Sequence, residues 1–305
     1  MTKFKTILFI VFFSVPTIHY GQHTDQINSN RPGETMSAYS VGKSVIQVET
    51  GIYGIQEKHA ILNYDANGFG LDFTLRYGVF KEKLELIADF QYQYEVFNPH
   101  IIYEDKSGLK QTVFGAKYLI YDRYKNYKEK VYIDSWKANH RFKWHKLIPA
   151  VSVFIGANMV FSDSPYAFSP EASISPKIIL ITQNLFDQGR WVFVTNIIAD
   201  YIGADFPSYG YIATLTRGFT PKWSGFIENQ GFKSDFYSDA IFRGGAAYLL
   251  NKSMQIDASI SNSIKNTPSI LYGGIGFSWR YDGNYKEVVL PGSPSKKIRV
   301  NSINN

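Results

Sequence analysis

Leu84-Glu85-Leu86-Ile87-Ala88-Asp89-Phe90-Gln91-Tyr92-Gln93-Tyr94 is the stretch that decides the fold. Leu84, Leu86, Ala88, Phe90, Tyr92 and Tyr94 alternate with Glu85, Asp89, Gln91 and Gln93. An extended chain therefore carries an apolar stripe on one face and carboxylates and amides on the other. A helix does not fit, because Glu85 and Asp89 would share a face with Leu86 and Phe90. The same period recurs outward from here. Leu71, Phe73, Leu75 and Tyr77 alternate with Asp72, Thr74 and Arg76. Met254, Ile256, Ala258 and Ile260 alternate with Gln255, Asp257, Ser259 and Ser261.

The pattern predicts 12 strands, near 44–54, 69–79, 83–94, 109–121, 147–160, 171–183, 190–202, 208–219, 222–232, 238–250, 253–263 and 269–281. The sixth is the weakest, since Pro170 and Pro176 each remove a ladder donor. Strands of ~10 residues are long for a soluble domain and suit a tilted crossing of a bilayer. Short connections at 79–83, 184–189, 220–222 and 250–253 alternate with longer ones at 55–68, 95–108, 161–170 and 232–238. That alternation is the pattern of an outer-membrane barrel with periplasmic turns and outer loops. No fixed repeat supports a propeller or β-helix. A large soluble sandwich is the remaining alternative.

Composition agrees with a barrel. The 305 residues are 45% hydrophobic and 16% aromatic, with 22 Tyr and 23 Phe, residues suited to a membrane–water boundary. There is no Cys, which excludes disulfides, thiolate metal sites, thiol nucleophiles and a lipoprotein anchor. The net charge of +6 is modest and partly local, and no nucleic-acid motif accompanies it. At the N-terminus Lys3 and Lys5 precede an apolar run from Ile7 to Val15, closed by Pro16. This reads as a secretory signal peptide, with cleavage expected between Gly21 and Gln22.

The expected organisation is a signal peptide at 1–21, an N-terminal periplasmic segment at 22–43, a single all-β antiparallel transmembrane barrel at 44–281 and a C-terminal periplasmic tail at 282–305. The irregular part is Asp122–Lys146, where a short periplasmic turn belongs. It has eight Lys or Arg against three acids, plus Trp136 and Trp144. It reads as a solvated basic loop or as a surface for an anionic partner or lipid headgroups.

Asn28-Ser29-Asn30-Arg31-Pro32-Gly33 followed by Val45-Ile46-Gln47-Val48-Glu49-Thr50-Gly51 resembles the opening of the transporter family named for the meta-pathway of phenol degradation. Further similar pieces are Leu75-Arg76-Tyr77-Gly78-Val79, Gly115-Ala116-Lys117-Tyr118-Leu119, Leu147-Ile148-Pro149-Ala150 and Gly274-Ile275-Gly276-Phe277-Ser278-Trp279-Arg280. The resemblance covers roughly residues 28–281. It departs at Asn30, where the family usually has Asp, and in the tail after Trp279. It implies a small outer-membrane barrel acting as a channel or transporter for hydrophobic compounds, and implies no particular permeant.

The polar faces place Glu49, Asp72, Arg76, Glu85, Asp89, Lys117, Asp200, Glu228, Arg243, Asp257 and Arg280 inside the barrel. Lipid exposure of Arg or Lys costs up to ~2–4 kcal/mol at the midplane. Two readings stay open: these charges line an aqueous path, or they pair into a polar core. Acids outnumber bases seven to four, which favours cations if a pore exists. Barrel closure would bring Glu49 and Arg280 close together at the seam. Arg31, held by the turn-forming Pro32 and Gly33, is expected to close the periplasmic rim or enter the lumen as a plug.

No catalytic residue, metal site or cofactor is expected. A barrel lipase needs a Ser–His pair at the membrane boundary, and no predicted strand carries one. His140 and His145 have helical metal-ligand spacing, but Arg141, Lys143 and Lys146 would repel a cation. The expected partners are the lipid bilayer, the outer-membrane assembly machinery and a small-molecule permeant, with no nucleic acid.

Overall fold

A computed structural model describes residues 26–98, 105–126, 147–161, 164–166, 173–235, 237–283, 285–288 and 298–301. Twelve antiparallel strands form one closed barrel in chain order. They are β1 (Val45–His59), β2 (Tyr64–Gly78), β3 (Leu84–Asn98), β4 (Lys106–Tyr121), β5 (Ala150–Met159) and β6 (Ile174–Phe186). They continue as β7 (Trp191–Asp200), β8 (Ser208–Gly218), β9 (Trp223–Ser234), β10 (Ser238–Asn251), β11 (Met254–Ser263) and β12 (Ser269–Asp282). The first and last strands pair along their length, from Val45 opposite Asp282 to Lys58 opposite Ser269. Closure leaves no open edge, so each ladder finds its partners within the wall.

Every predicted strand is present. The largest differences lie at one end of β1, β2 and β3, which are 15 residues each. The expected loop at 55–68 shrinks to residues 60–63, and its flanks belong to the wall. Cross-strand rings hold this extension: His59 on Tyr64 at 5.3 Å and Tyr64 on Phe97 at 5.4 Å, with Tyr64 also bonded to Glu57. Outside hydrocarbon both faces of a strand are wet, so the sequence alternation fades while the pairing continues. Pro176 costs β6 no ladder donor. Its carbonyl accepts from Ile202 and faces the β7 side, where β6–β7 pairing begins only at Ile178 opposite Ala199.

The outward face is apolar. Ile52, Phe73, Leu86, Ile155, Ile227 and Ile275 are all exposed on it. Aromatic residues gather near the end bearing the short turns. The Trp223 and Tyr248 rings meet at a tilt, 4.8 Å apart, Trp279 lies 6.1 Å from Tyr281, and Arg217 sits 4.8 Å from the Trp191 ring. An apolar band edged by such a girdle is how a barrel meets lipid. No described helix is long and apolar enough to cross a membrane.

Of the basic segment, Arg123–Asn126 form a short helix, α1, and Lys125 reaches Glu82 at 3.0 Å. Residues 127–146, with Trp136, Trp144, His140 and His145, lie outside the described residues, as does the expected signal peptide. In the tail, β13 (Tyr285–Val288) and β14 (Ile298–Asn301) pair as a separate two-stranded sheet.

Candidate functional site

One correction reshapes the site. The segment ahead of β1, expected on the periplasmic side over 22–43, runs through the barrel interior wherever it is described. It starts at the turn end, where the Ile27 amide donates to the Lys252 carbonyl at 2.8 Å. It returns there at Ser44, whose amide donates to the Gly78 carbonyl. Between these points it draws polar contacts from every strand of the wall. The physical reason is the wall itself. Buried carboxylates and amides need partners, and a loop with no secondary structure has free amides and carbonyls to give.

Three wall glutamates hold it by backbone N–H groups. Glu49 of β1 accepts from the Asn30 and Arg31 amides at 3.1 and 3.3 Å. Glu228 of β9 accepts from the Glu34 amide at 3.1 Å and from the Thr35 hydroxyl at 2.8 Å. Glu85 of β3 accepts from the Val41 amide at 2.7 Å. Cations balance each one. Arg76 lies 3.1 Å from Glu49 and 3.1 Å from Glu85, and Lys117 lies 2.7 Å from Glu85. Arg243 pairs with Glu228 and lies 3.8 Å from Glu34. The cations also serve the segment: Arg76 donates to the Asn28 carbonyl at 2.9 Å and Lys117 to the Ser37 carbonyl at 2.6 Å. Arg280 donates to the Gln26 carbonyl at 2.9 Å.

Neutral residues complete the ring. Asn196 of β7 clasps Met36 through both its amide and its carbonyl, at 2.7 and 3.0 Å. Gln183 of β6 accepts from the Ala38 amide at 2.9 Å, and Ser152 of β5 donates to the Ala38 carbonyl at 2.5 Å. Thr214 of β8 meets the Thr35 hydroxyl. Gln255 of β11 donates to the Arg31 carbonyl at 3.1 Å, and Ser278 of β12 meets Ser29 at 2.8 Å.

All eleven expected lumen residues face inward, but they divide by surroundings. Glu49, Arg76, Glu85, Lys117, Glu228, Arg243 and Arg280 contact the segment as described, and Asp257 is buried beside Arg31. Asp89 and Asp200 line open space, and Asp72 both lines it and meets Arg31 of the segment. The seam partners differ from expectation. Register sets Glu49 opposite Ser278 and Arg280 opposite Gln47, and Glu49 finds its cation on β2 instead. Arg31 lies in the lumen, with its guanidinium 3.4 Å from Asp72 and 3.4 Å from Asp257.

The segment leaves two cavities that share Asn30, Arg31 and Gly33 in their linings. On the loop side, about 330 Å³ is bounded by Glu34, Glu49, Asp72, Asp89 and Asp200 against Arg31 and Lys177. On the turn side, about 320 Å³ is bounded by Arg31, Arg190 and Lys222, with no carboxylate among its lining residues. The loop-side cavity also has an apolar wall from Ile87, Val113, Phe154, Ile179 and Ile198, which belong to or pack on the buried core cluster.

Several of these residues escaped the sequence reading. Lys177, 2.7 Å from Asp200, was hidden in the strand with Pro176. Asn196, Gln183, Thr214 and Ser152 carry no charge, so nothing in the sequence sets them apart from other neutral polar residues. The inward apolar wall was missed because inward was equated with polar. Gly51 and Gly276 did carry a signal, since a glycine inside a strand often marks a close approach.

The family model described as "Putative MetA-pathway of phenol degradation" matches residues 29–281. No curated protein matches the sequence. Among solved structures, an outer-membrane channel from Pseudomonas putida F1 is similar in fold, with a TM-score of 0.55 at 9% identity over 84% of this chain and 100% of that one. A KdgM porin in complex with disordered oligogalacturonate gives 0.45 at 10% identity over 76% and 99% of the two chains. The CymD monoaromatic hydrocarbon channel gives 0.39 at 9% identity over 79% and 89%.

Proposed function

This chain belongs to the family described as the putative MetA-pathway of phenol degradation, and from that premise we propose that it is a passive outer-membrane channel for small molecules. The observation that carries the reading is the pair of cavities inside a closed barrel, separated by one strip of the chain's own N-terminal segment. Each is of a size that accepts a small ligand. The apolar outer face supports a bilayer as the surrounding medium. The apolar wall of Phe154, Ile179 and Ile198 beside Asp72 and Asp89 supports permeants with hydrophobic or aromatic parts. In this reading Asp89 and Asp200 bias what enters the loop-side cavity, Asp72 does so while also meeting Arg31, and the remaining inward charges hold the segment. The leader at 1–21 delivers the chain for export, the outer-membrane assembly machinery inserts it, and the tail stays in the periplasm.

Planar-bilayer recording tests this. Purified barrel is expected to give discrete, small conductance steps, and weakening the segment's hold by Arg31→Gln is expected to enlarge them. Absence of steps in both proteins would remove the channel reading.

A further inference from the structure

Arg31 sits in a place that only a closed barrel can provide. Register lines up four residues across four strands: Asp72 on β2 opposite Gly51 on β1, Gly51 opposite Gly276 on β12, and Gly276 opposite Asp257 on β11. The two glycines are the central pair of the row and straddle the seam between the first and last strands. The Arg31 guanidinium lies directly on them. A Cβ on Gly51 would fall 2.3 Å from its Nη2, and one on Gly276 would fall 2.2 Å from its Nε. The flanking aspartates lie on either side at 3.4 Å each. Asp257 is 6% exposed and neither of its oxygens accepts a hydrogen bond from a described residue, so Arg31 is the cation it leans on.

We propose that Arg31 is a latch across the barrel seam: its guanidinium, seated on Gly51 and Gly276 between Asp72 and Asp257, fixes the N-terminal segment in the lumen and ties that fixation to closure of β1 on β12. Neither half of the row exists as a seat alone, because each aspartate stands on a strand that reaches the other only through the seam pair. The segment therefore docks after the barrel closes. Loss of the latch loosens the segment from its Glu49 attachment onward, Ala38 included. The glycines are required by space and not by backbone conformation. The latch joins the segment to the seam and does not depend on what crosses the lumen.

The chain has no Cys, so a single introduced thiol reports one position. Ala38→Cys places it on the segment at a residue that is 0% exposed. The experiment follows the rate at which a hydrophilic thiol reagent modifies it in the folded, full-length barrel. Arg31→Gln and Gly51→Ala in this background are each expected to raise the rate about tenfold or more, since a looser seat increases local opening. Gly51→Ala keeps every charge and acts only by filling the seat. Gly273→Ala, on the same seam where an added Cβ meets nothing within 4 Å, is the control and is expected to leave the rate unchanged. Unboiled gel migration verifies that each barrel is closed. A Gly51→Ala rate equal to that of the parent overturns the latch, whatever Arg31→Gln does. Equal acceleration by Gly273→Ala overturns it as well, by showing a general weakening of the seam.

Discussion

Glu49, Arg76, Glu85 and Lys117 show how this lumen treats charge. All four are almost wholly buried, and each faces an opposite charge within about 3 Å. Their mutual attraction offsets the loss of water only because the segment fills the remaining hydrogen-bond positions. Removing one member leaves the others uncompensated, which costs about 3 kcal/mol or more for a buried pair. Glu49→Gln and Arg76→Gln are each expected to lower unfolding stability by that order. The double variant is expected to cost less than the sum, because the two act on one interaction. Urea titration of the reconstituted barrel reads this out, and strictly additive losses would show that the pair is not coupled. The inward direction of these residues was legible from alternation alone. Their partners were not. Glu49 pairs with a residue on β2, and two of the four groups that donate to it are the Asn30 and Arg31 amides, beside Gln47 and Arg76. Backbone donors have no signature in the sequence.

At the scale of the element, the strands were legible because each obeys a local rule. Ile256 and Ser259 lie three residues apart on β11 and point to opposite faces. Ile256 is 42% exposed on the apolar outside, while Ser259 is half-buried toward the interior. Ile256→Arg would put a cation in hydrocarbon at a cost of up to ~2–4 kcal/mol. It is expected to block assembly, whereas Ser259→Arg is expected to assemble. Recovery of heat-modifiable barrel from membranes measures both, and equal recovery would refute the face assignment. Elements with no such rule stayed illegible. The segment at 26–43 has no period, and its path is fixed by twelve separate strands, none near it in sequence except β1. The loop at 55–68 was misjudged because pairing outlasted the alternation that reveals it. On β5 and β6, Phe154, Ile179 and Ile181 turn inward beside Ser152 and Gln183, which blurs the contrast between faces.

The whole molecule is a closed wall around its own N-terminal segment. Closed barrels satisfy every backbone group and resist detergent, so unboiled protein is expected to migrate faster than boiled protein on a denaturing gel. Identical migration would argue against a closed membrane barrel. The cavities on the two sides of the segment carry opposite fixed charge, acidic toward the loops and basic toward the turns. Current through such a series is expected to differ with the sign of the applied voltage. The difference should fade as salt rises from ~0.1 M to ~1 M and screening shortens from ~10 Å to ~3 Å. Symmetric currents at low salt would count against the charge arrangement. The central claim is that the segment is the barrier within the lumen, and one recording tests it most directly. Thr35 on the segment and Thr214 on β8 meet hydroxyl to hydroxyl, so cysteines at both positions can tether the two. Conductance is measured for Arg31→Gln carrying Thr35→Cys and Thr214→Cys, first oxidised and then after reductant. The account predicts small, parent-like steps while the tether is closed and larger steps once it is reduced; identical currents before and after reduction would contradict it.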